Sequence, residues 1–204
     1  MKPEYWDEAT AWLGKRDKVL RRLIRKFPDA NIVRRGDAFQ TLARAIVGQQ
    51  ISVKAAQSIW GRFADCVGKV TPANVVAREA PALRACGFSN SKVAYVKDLA
   101  RRFHEGEVKP RRWPRMGDEE IIEELVAVKG IGRWTAEMFH MFSLMRPDVL
   151  PVDDLGLRRA MERAYNKGKP LAKDEMRAIG AAWAPYRSCA TWYLWRSLDE
   201  VNFG

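Results

Sequence analysis

The sequence predicts an all-α fold, and three observations carry the prediction. Apolar residues recur at spacings of three and four along nearly the whole chain. No segment alternates apolar and polar residues as a half-buried strand would, and the connections between periodic segments are short. At 204 residues the chain is long enough to bury a core as one domain or as two small lobes.

The helical segments follow in order. "DKVLRRLIRKF" sets Val19, Leu20, Leu23, Ile24 and Phe27 on one face and ends before Pro28. "DAFQTLARAIVG" does the same with Phe39, Leu42, Ile46 and Val47, closed by Gly48. "SVKAAQSIWGRFADCV" starts at Ser52, a residue type that caps helix N-termini, and carries Val53, Ala56, Ile59, Trp60 and Phe63. "SNSKVAYVKDLARRF" repeats the pattern with Val93, Val96, Leu99 and Phe103. "DEEIIEELVAV", "RWTAEMFHMFSLM", "DLGLRRAMERAY", "KDEMRAIGAAW" and "RSCATWYLWRSL" complete a set of roughly ten helices. "GEVKPRRWPRMG", residues 106–117, has two prolines and four basic residues and reads as a surface loop.

Composition narrows the function. The chain has 36 Lys and Arg against 25 Asp and Glu, a formal net charge of +11. Such a surplus suits a polyanionic partner, nucleic acid first and an anionic membrane second. No run of about 18 apolar residues predicts a transmembrane span. The opening "MKPEYWDEATAW" lacks the uninterrupted apolar core of a secretory signal. Cys66, Cys86 and Cys189 are odd in number and far apart along the chain, which suits buried thiols in a reducing compartment better than a structural zinc or iron–sulfur site. His104 and His140 stand alone, so histidine metal sites and serine–histidine catalysis have little to draw on.

"VKGIGRWTAEMF", residues 128–139, is the most informative stretch. A dinucleotide-binding turn would need a third glycine where Thr135 stands, a strand where "DEEIIEELVAV" reads as a helix with acids in its first turn, and strand–helix alternation elsewhere. A helix, a Gly-Ile-Gly turn and a second helix fit better. Gly130 supplies the left-handed backbone that ends the first helix, Gly132 lets another backbone come close, and Ile131 pins the hairpin. The free amides opening the second helix form an anion site, to which Arg133 adds charge; a DNA phosphate would be held there whatever the base sequence. In "PVDDLGLRRA", Asp153 and Asp154 either cap the next helix or supply a catalytic carboxylate.

"LVAVKGIGRWTAEMFHMFSL" followed by "DVLPVDDLGLRRA" is similar to the helix-hairpin-helix DNA glycosylases, specifically the DNA-3-methyladenine glycosylase II group. "AIVGQQISVKAA" and "WAPYRSCATWYLWRSL" resemble that group too, and the likeness spans roughly residues 35 to 200. The resemblance implies two helical lobes with a helix-hairpin-helix motif and a cleft between them. Lobe one would cover about residues 36–146 and lobe two about 1–35 with 147–204, without the N-terminal β-rich domain of larger members. It further implies a monofunctional glycosylase of base excision repair. Such an enzyme flips an alkylated purine of the 3-methyladenine type out of duplex DNA and hydrolyses its N-glycosidic bond. No cofactor is implied. The partner would be duplex DNA containing alkylated bases, met by a monomer, in the cytoplasm or nucleoid of a bacterium or the nucleus of a eukaryote.

The resemblance assigns roles residue by residue. The pattern "DLG" singles out Asp154 over Asp153 as the catalytic carboxylate, 20 residues after Trp134. A fixed anion stabilises the positive charge that develops on the deoxyribose and orients the attacking water. An alkylated purine is already cationic and leaves without a strong general acid. Trp134 stands where bifunctional members have a lysine nucleophile; an indole forms no Schiff base, so no lyase activity is expected. Its electron-rich face suits a cationic base, although the stripe Trp134, Met138, Met141, Met145 would also suit a core residue.

Tyr186 resembles the second pocket aromatic, with Met138 and Leu155 completing the pocket, while Trp183 and Trp192 read as core. Gly130, Ile131, Gly132, Arg133 and Thr135 form the DNA contact. Gln50 with Ile51 resembles the wedge that fills the duplex after flipping, and Gln49 supports the site; helix capping is the alternative for either glutamine. A monovalent cation on the backbone carbonyls of Val126, Val128 and Ile131 is also implied. A rival reading is a non-catalytic helix-hairpin-helix module for damaged or branched DNA, which needs neither Asp154 nor a pocket aromatic.

Overall fold

The computed structural model describes residues 2–199, and all regular structure among them is helical. The helices are α1 (Trp6–Arg16), α2 (Lys18–Lys26), α3 (Ala38–Gly48), α4 (Val53–Val67), α5 (Pro72–Val76), α6 (Ala80–Ala85) and α7 (Asn90–His104). A 3₁₀ helix (Pro110–Arg115) leads to α8 (Asp118–Val126) and α9 (Arg133–Phe139), which runs into a π-helical turn (His140–Leu144). The chain then forms α10 (Leu155–Tyr165), α11 (Lys173–Ala181) and α12 (Arg187–Asp199). Among the described residues no helix is long and apolar enough to cross a membrane.

Two compact units emerge: Arg35–Phe139, and Met1–Arg34 with His140–Gly204. The second break falls at His140 rather than near residue 146. The π turn belongs to the second unit because His140, Met141 and Ser143 are buried and the Ser143 carbonyl accepts the Arg34 Nε–H at 3.2 Å.

In the unit Arg35–Phe139, α3 and α5 pack on α7. Phe39 meets Phe103 edge-on at 5.4 Å, and Phe63 sits 5.4 Å from Trp60 and 5.2 Å from Phe88. Ser52 caps α4 through the Ala55 amide, and Ser89 caps α7 through the Lys92 amide. The segment 106–117 is only partly the expected surface loop. Lys109, Arg111, Arg112 and Arg115 are exposed, but Trp113 is buried, edge-on to Phe139, and its Nε1–H donates to Glu124 at 2.7 Å. Cys66 and Cys86, distant in sequence, are brought together: both thiols lean on the Ala82 carbonyl, and burial with the neighbouring Cys66 pushes the Cys86 thiol up to about 11.

In the other unit a single carboxylate ties distant segments together. Asp17 caps α2 through the Val19 and Leu20 amides, while its second oxygen accepts the Tyr165 hydroxyl at 2.9 Å and the Trp183 indole N–H at 3.0 Å. Trp6 and Tyr193 stack at 5.9 Å and both donate to the Ala30 carbonyl. Trp183 is fully buried, as expected, and Trp192 half-buried.

Candidate functional site

The site residues fall into groups, each built within one unit. The hairpin joins α8 to α9. Gly130 adopts φ +81°, the left-handed conformation that its position at the end of α8 requires. A Cβ there would lie 2.2 Å from the Tyr95 ring, so glycine is demanded by packing as well as by backbone. Ile131 is buried, and its N–H donates to the Val128 carbonyl at 3.1 Å. Gly132 differs from expectation: a Cβ on it would meet nothing within 4 Å, so no backbone of this protein crowds it and its outer side is open.

Arg133 is engaged by carboxylates of its own unit. Its guanidinium donates to Glu119 and to Glu137, and these hydrogen bonds, Glu119 first, hold its pKa above the ordinary arginine value. Its charge is answered by protein carboxylates. Thr135 and Met138 are half-buried on α9. Trp134 is 47% exposed, so it is not the core residue that the Met138, Met141 stripe allowed.

The turn between α3 and α4 carries the two glutamines. Gln50 is exposed and holds φ +57°, an unfavourable conformation for a side chain of its kind. Ile51 follows it, 37% exposed. Gln49 caps no helix amide; its Nε2 donates to the Gly130 carbonyl at 2.8 Å. Lys92 reaches the same turn, donating to the carbonyls of Val47 (2.7 Å) and Gln49 (2.9 Å), and burial pulls its pKa below the usual lysine value.

In the second unit Asp154 is the N-cap of α10. One oxygen, Oδ1, accepts both the Leu157 amide at 2.6 Å and the Trp195 indole N–H at 2.8 Å. Two donors on one oxygen hold that oxygen in place. The loop leading to it is pinned by α12: buried Ser188 donates to the Arg146 carbonyl and accepts the Val149 amide, and Arg187 holds Asp148 through two hydrogen bonds. Asp153, by contrast, is an exposed carboxylate paired with Lys173. Leu155 is 48% exposed beside Asp154.

Tyr186 is buried in an aromatic cluster, stacked on Tyr5 at 6.2 Å and edge-on to Trp12 at 6.1 Å, and the Glu8 carboxylate together with burial raises the pKa of its hydroxyl. Helix α1, which the periodicity did not single out, covers the ring. Trp195 was missed as a site residue; it lies 41 residues after Asp154 with no local pattern linking the two.

Gly156 permits the Asp154–Trp195 contact. A Cβ there would sit 3.1 Å from Asp154 Oδ1 and 3.3 Å from the Trp195 ring. Gly156→Ala should therefore crowd the Asp154 carboxylate away from its cap on α10, so that loss of the cap offsets the helix preference of alanine and thermal stability does not rise. Displacing the carboxylate should meanwhile slow its chemistry by roughly tenfold or more. Parallel melting and single-turnover measurements check this, and unchanged turnover would detach the Trp195 contact from function.

An all-helical chain with a Gly-Ile-Gly hairpin, and a fixed carboxylate opening the next helix but one segment on, defines a class. The chain belongs to the HhH-GPD superfamily of base excision DNA repair proteins, whose sequence model matches residues 43–185. It is 34% identical over 190 residues to DNA-3-methyladenine glycosylase 1 of Schizosaccharomyces pombe, covering 91% of this chain and 83% of that protein. The crystal structure of a DNA-3-methyladenine glycosidase from Bacillus halodurans superposes with a TM-score of 0.84 at 36% identity, over 91% of this chain and 86% of that one. A 3-methyladenine DNA glycosylase of S. pombe in complex with abasic DNA gives 0.81 at 32% identity, over 97% and 99% of the two chains.

Proposed function

We propose that this protein is a monofunctional DNA glycosylase of base excision repair that hydrolyses the N-glycosidic bond of alkylated purines, 3-methyladenine type, in duplex DNA. The observation that carries the reading is Asp154, a carboxylate held through one oxygen by the Leu157 amide and the Trp195 indole. Phosphate binding alone needs no such group. As the bond to the base breaks, positive charge grows on the deoxyribose; a preorganised anion stabilises it without reorientation, and the same carboxylate orients the attacking water. Trp134, exposed at the start of α9, offers a π face to a cationic base. Tyr186, the second aromatic of the pocket in this reading, is held by Tyr5 and Trp12.

Gln50 and Ile51 fill the space that the extruded nucleotide leaves, and the amides around Gly132 hold a backbone phosphate. The main-chain carbonyls of Val126, Val128 and Ile131 are the donor type a monovalent cation takes, and Val128 also accepts the Ile131 N–H. A cation there would add positive charge beside the phosphate. The protein acts as a monomer in a reducing, DNA-containing compartment.

Incubation with methylated duplex DNA should release free alkylated purines and leave an intact abasic strand, with no nick and no borohydride-trapped adduct. A trapped adduct would overturn the role given to Trp134; binding with no released base would leave only a DNA-binding module. Gly132→Phe, which meets open space in the protein, should fold normally. It should nonetheless lower affinity for all duplexes about tenfold, or ~1.4 kcal/mol. Titrations at several salt concentrations check this, and unaltered affinity in the folded variant would remove the phosphate clamp.

A further inference from the structure

Helix α7 makes contact with both DNA-facing segments of its unit through one face. Lys92, Tyr95 and Asp98 follow at i, i+3 and i+6 and so lie along one side of the helix. Lys92 Nζ takes the Val47 and Gln49 carbonyls at the end of α3, groups that a helix C-terminus leaves without intrahelical partners. The Tyr95 ring lies against Gly130 so closely that no Cβ would fit between them. Asp98 Oδ2 accepts the Lys129 amide at 2.9 Å and is itself steadied by Arg102 at 3.1 Å. A direct link, Gln49 Nε2 to the Gly130 carbonyl, closes the loop between the two turns.

We propose that Lys92, Tyr95 and Asp98 are positioning residues. Their face of α7 holds the Gln50 turn and the Gly130–Gly132 turn at one fixed separation, so that gripping a phosphate and wedging the duplex happen in register. This rests on the reading of those two turns as wedge and phosphate clamp. The physical need is plain. Gln50 sits in a left-handed conformation that is unfavourable for a residue with a side chain, and such a turn persists only if its surroundings hold it. Lys92 does so from the carbonyl side of α3, and Asp98 places the partner turn from the same rigid helix. Neither side chain touches DNA in this scheme. Each sets where another group meets it.

The experiment uses the full-length protein and a duplex carrying a methylated purine beside 2-aminopurine, whose fluorescence rises on unstacking. Lys92→Met keeps the aliphatic stem and removes the donors; Lys92→Arg restores donors; Asp98→Ala releases the hairpin end. Each variant is first shown to be folded by thermal melting. Lys92→Met and Asp98→Ala should each lower the 2-aminopurine signal at saturating protein and slow single-turnover release roughly tenfold, with affinity for undamaged duplex within about twofold of wild type. Lys92→Arg should recover most of both.

Wild-type turnover in folded Lys92→Met and Asp98→Ala overturns the proposal. So does a loss of rate matched by an equal loss of affinity for undamaged DNA, which is what general loosening of the unit would give. Gln50→Ala, measured alongside, separates the two layers. If it leaves release and fluorescence unchanged, the wedge reading falls and the strut with it. If it is slow while the α7 variants are not, the strut alone falls.

Discussion

Asp154→Asn should nearly abolish base release while leaving the fold and DNA affinity close to those of the parent protein. The amide keeps an oxygen for the Leu157 N–H and the Trp195 indole, so the cap on α10 and the packing of α12 survive. What is lost is full negative charge facing the developing oxocarbenium and a group able to direct water. Removing one preorganised electrostatic contact of this kind costs about 3–4 kcal/mol, a factor of hundreds in rate. Asp153→Asn disturbs only an exposed ion pair with Lys173, worth about 0–1 kcal/mol, and should leave turnover nearly unaltered. Single-turnover release with parallel binding decides the matter. A dead Asp153→Asn beside an active Asp154→Asn would reverse the assignment of the pair, and two active variants would end the glycosylase reading.

Gly130→Ala is expected to produce the largest loss of stability. The left-handed backbone costs alanine about 1–2 kcal/mol, and forcing a Cβ against the Tyr95 ring adds about 1–3 kcal/mol of overpacking, for a total of roughly 2–5 kcal/mol. Tyr95→Ala should recover the overpacking part but not the backbone part, so the double variant should melt between Gly130→Ala and Tyr95→Ala corrected for its own cavity. Denaturant unfolding of the four proteins measures the coupling directly. Strict additivity would show that the ring yields freely and that only the backbone asks for glycine.

These residues also mark where reading from the chain alone succeeds. Gly130 was legible because a helix stop followed by a tight turn is local chemistry, complete within a few residues. The long amphipathic helices were legible for the same reason: α3, α4 and α7 each repeat their apolar face for several turns. Helices α5 and α6, of five and six residues, barely exceed one turn and leave no period to detect. The site failed to show wherever a partner came from far along the chain. Arg133 looked available for a phosphate because Glu119, 14 residues upstream, gives no sign that it will reach back. The packing around Tyr186 was not legible because it comes from Tyr5 and Trp12 at the other end of the sequence. Trp113 hid inside a run of prolines and arginines whose composition signals solvent.

The unit that carries Asp154 is assembled from two stretches separated by the whole of Arg35–Phe139. During synthesis, α1 and α2 therefore emerge long before the helices that bury them. The middle stretch holds its own partners, with α3 through α9 packing among themselves. Asp17 acquires Tyr165 and Trp183 only after the whole of α11 has left the ribosome. The nascent chain thus has its hairpin-bearing stretch before its carboxylate-bearing one, and a chain stopped short of α12 would keep the hairpin yet lack the indole that holds Asp154.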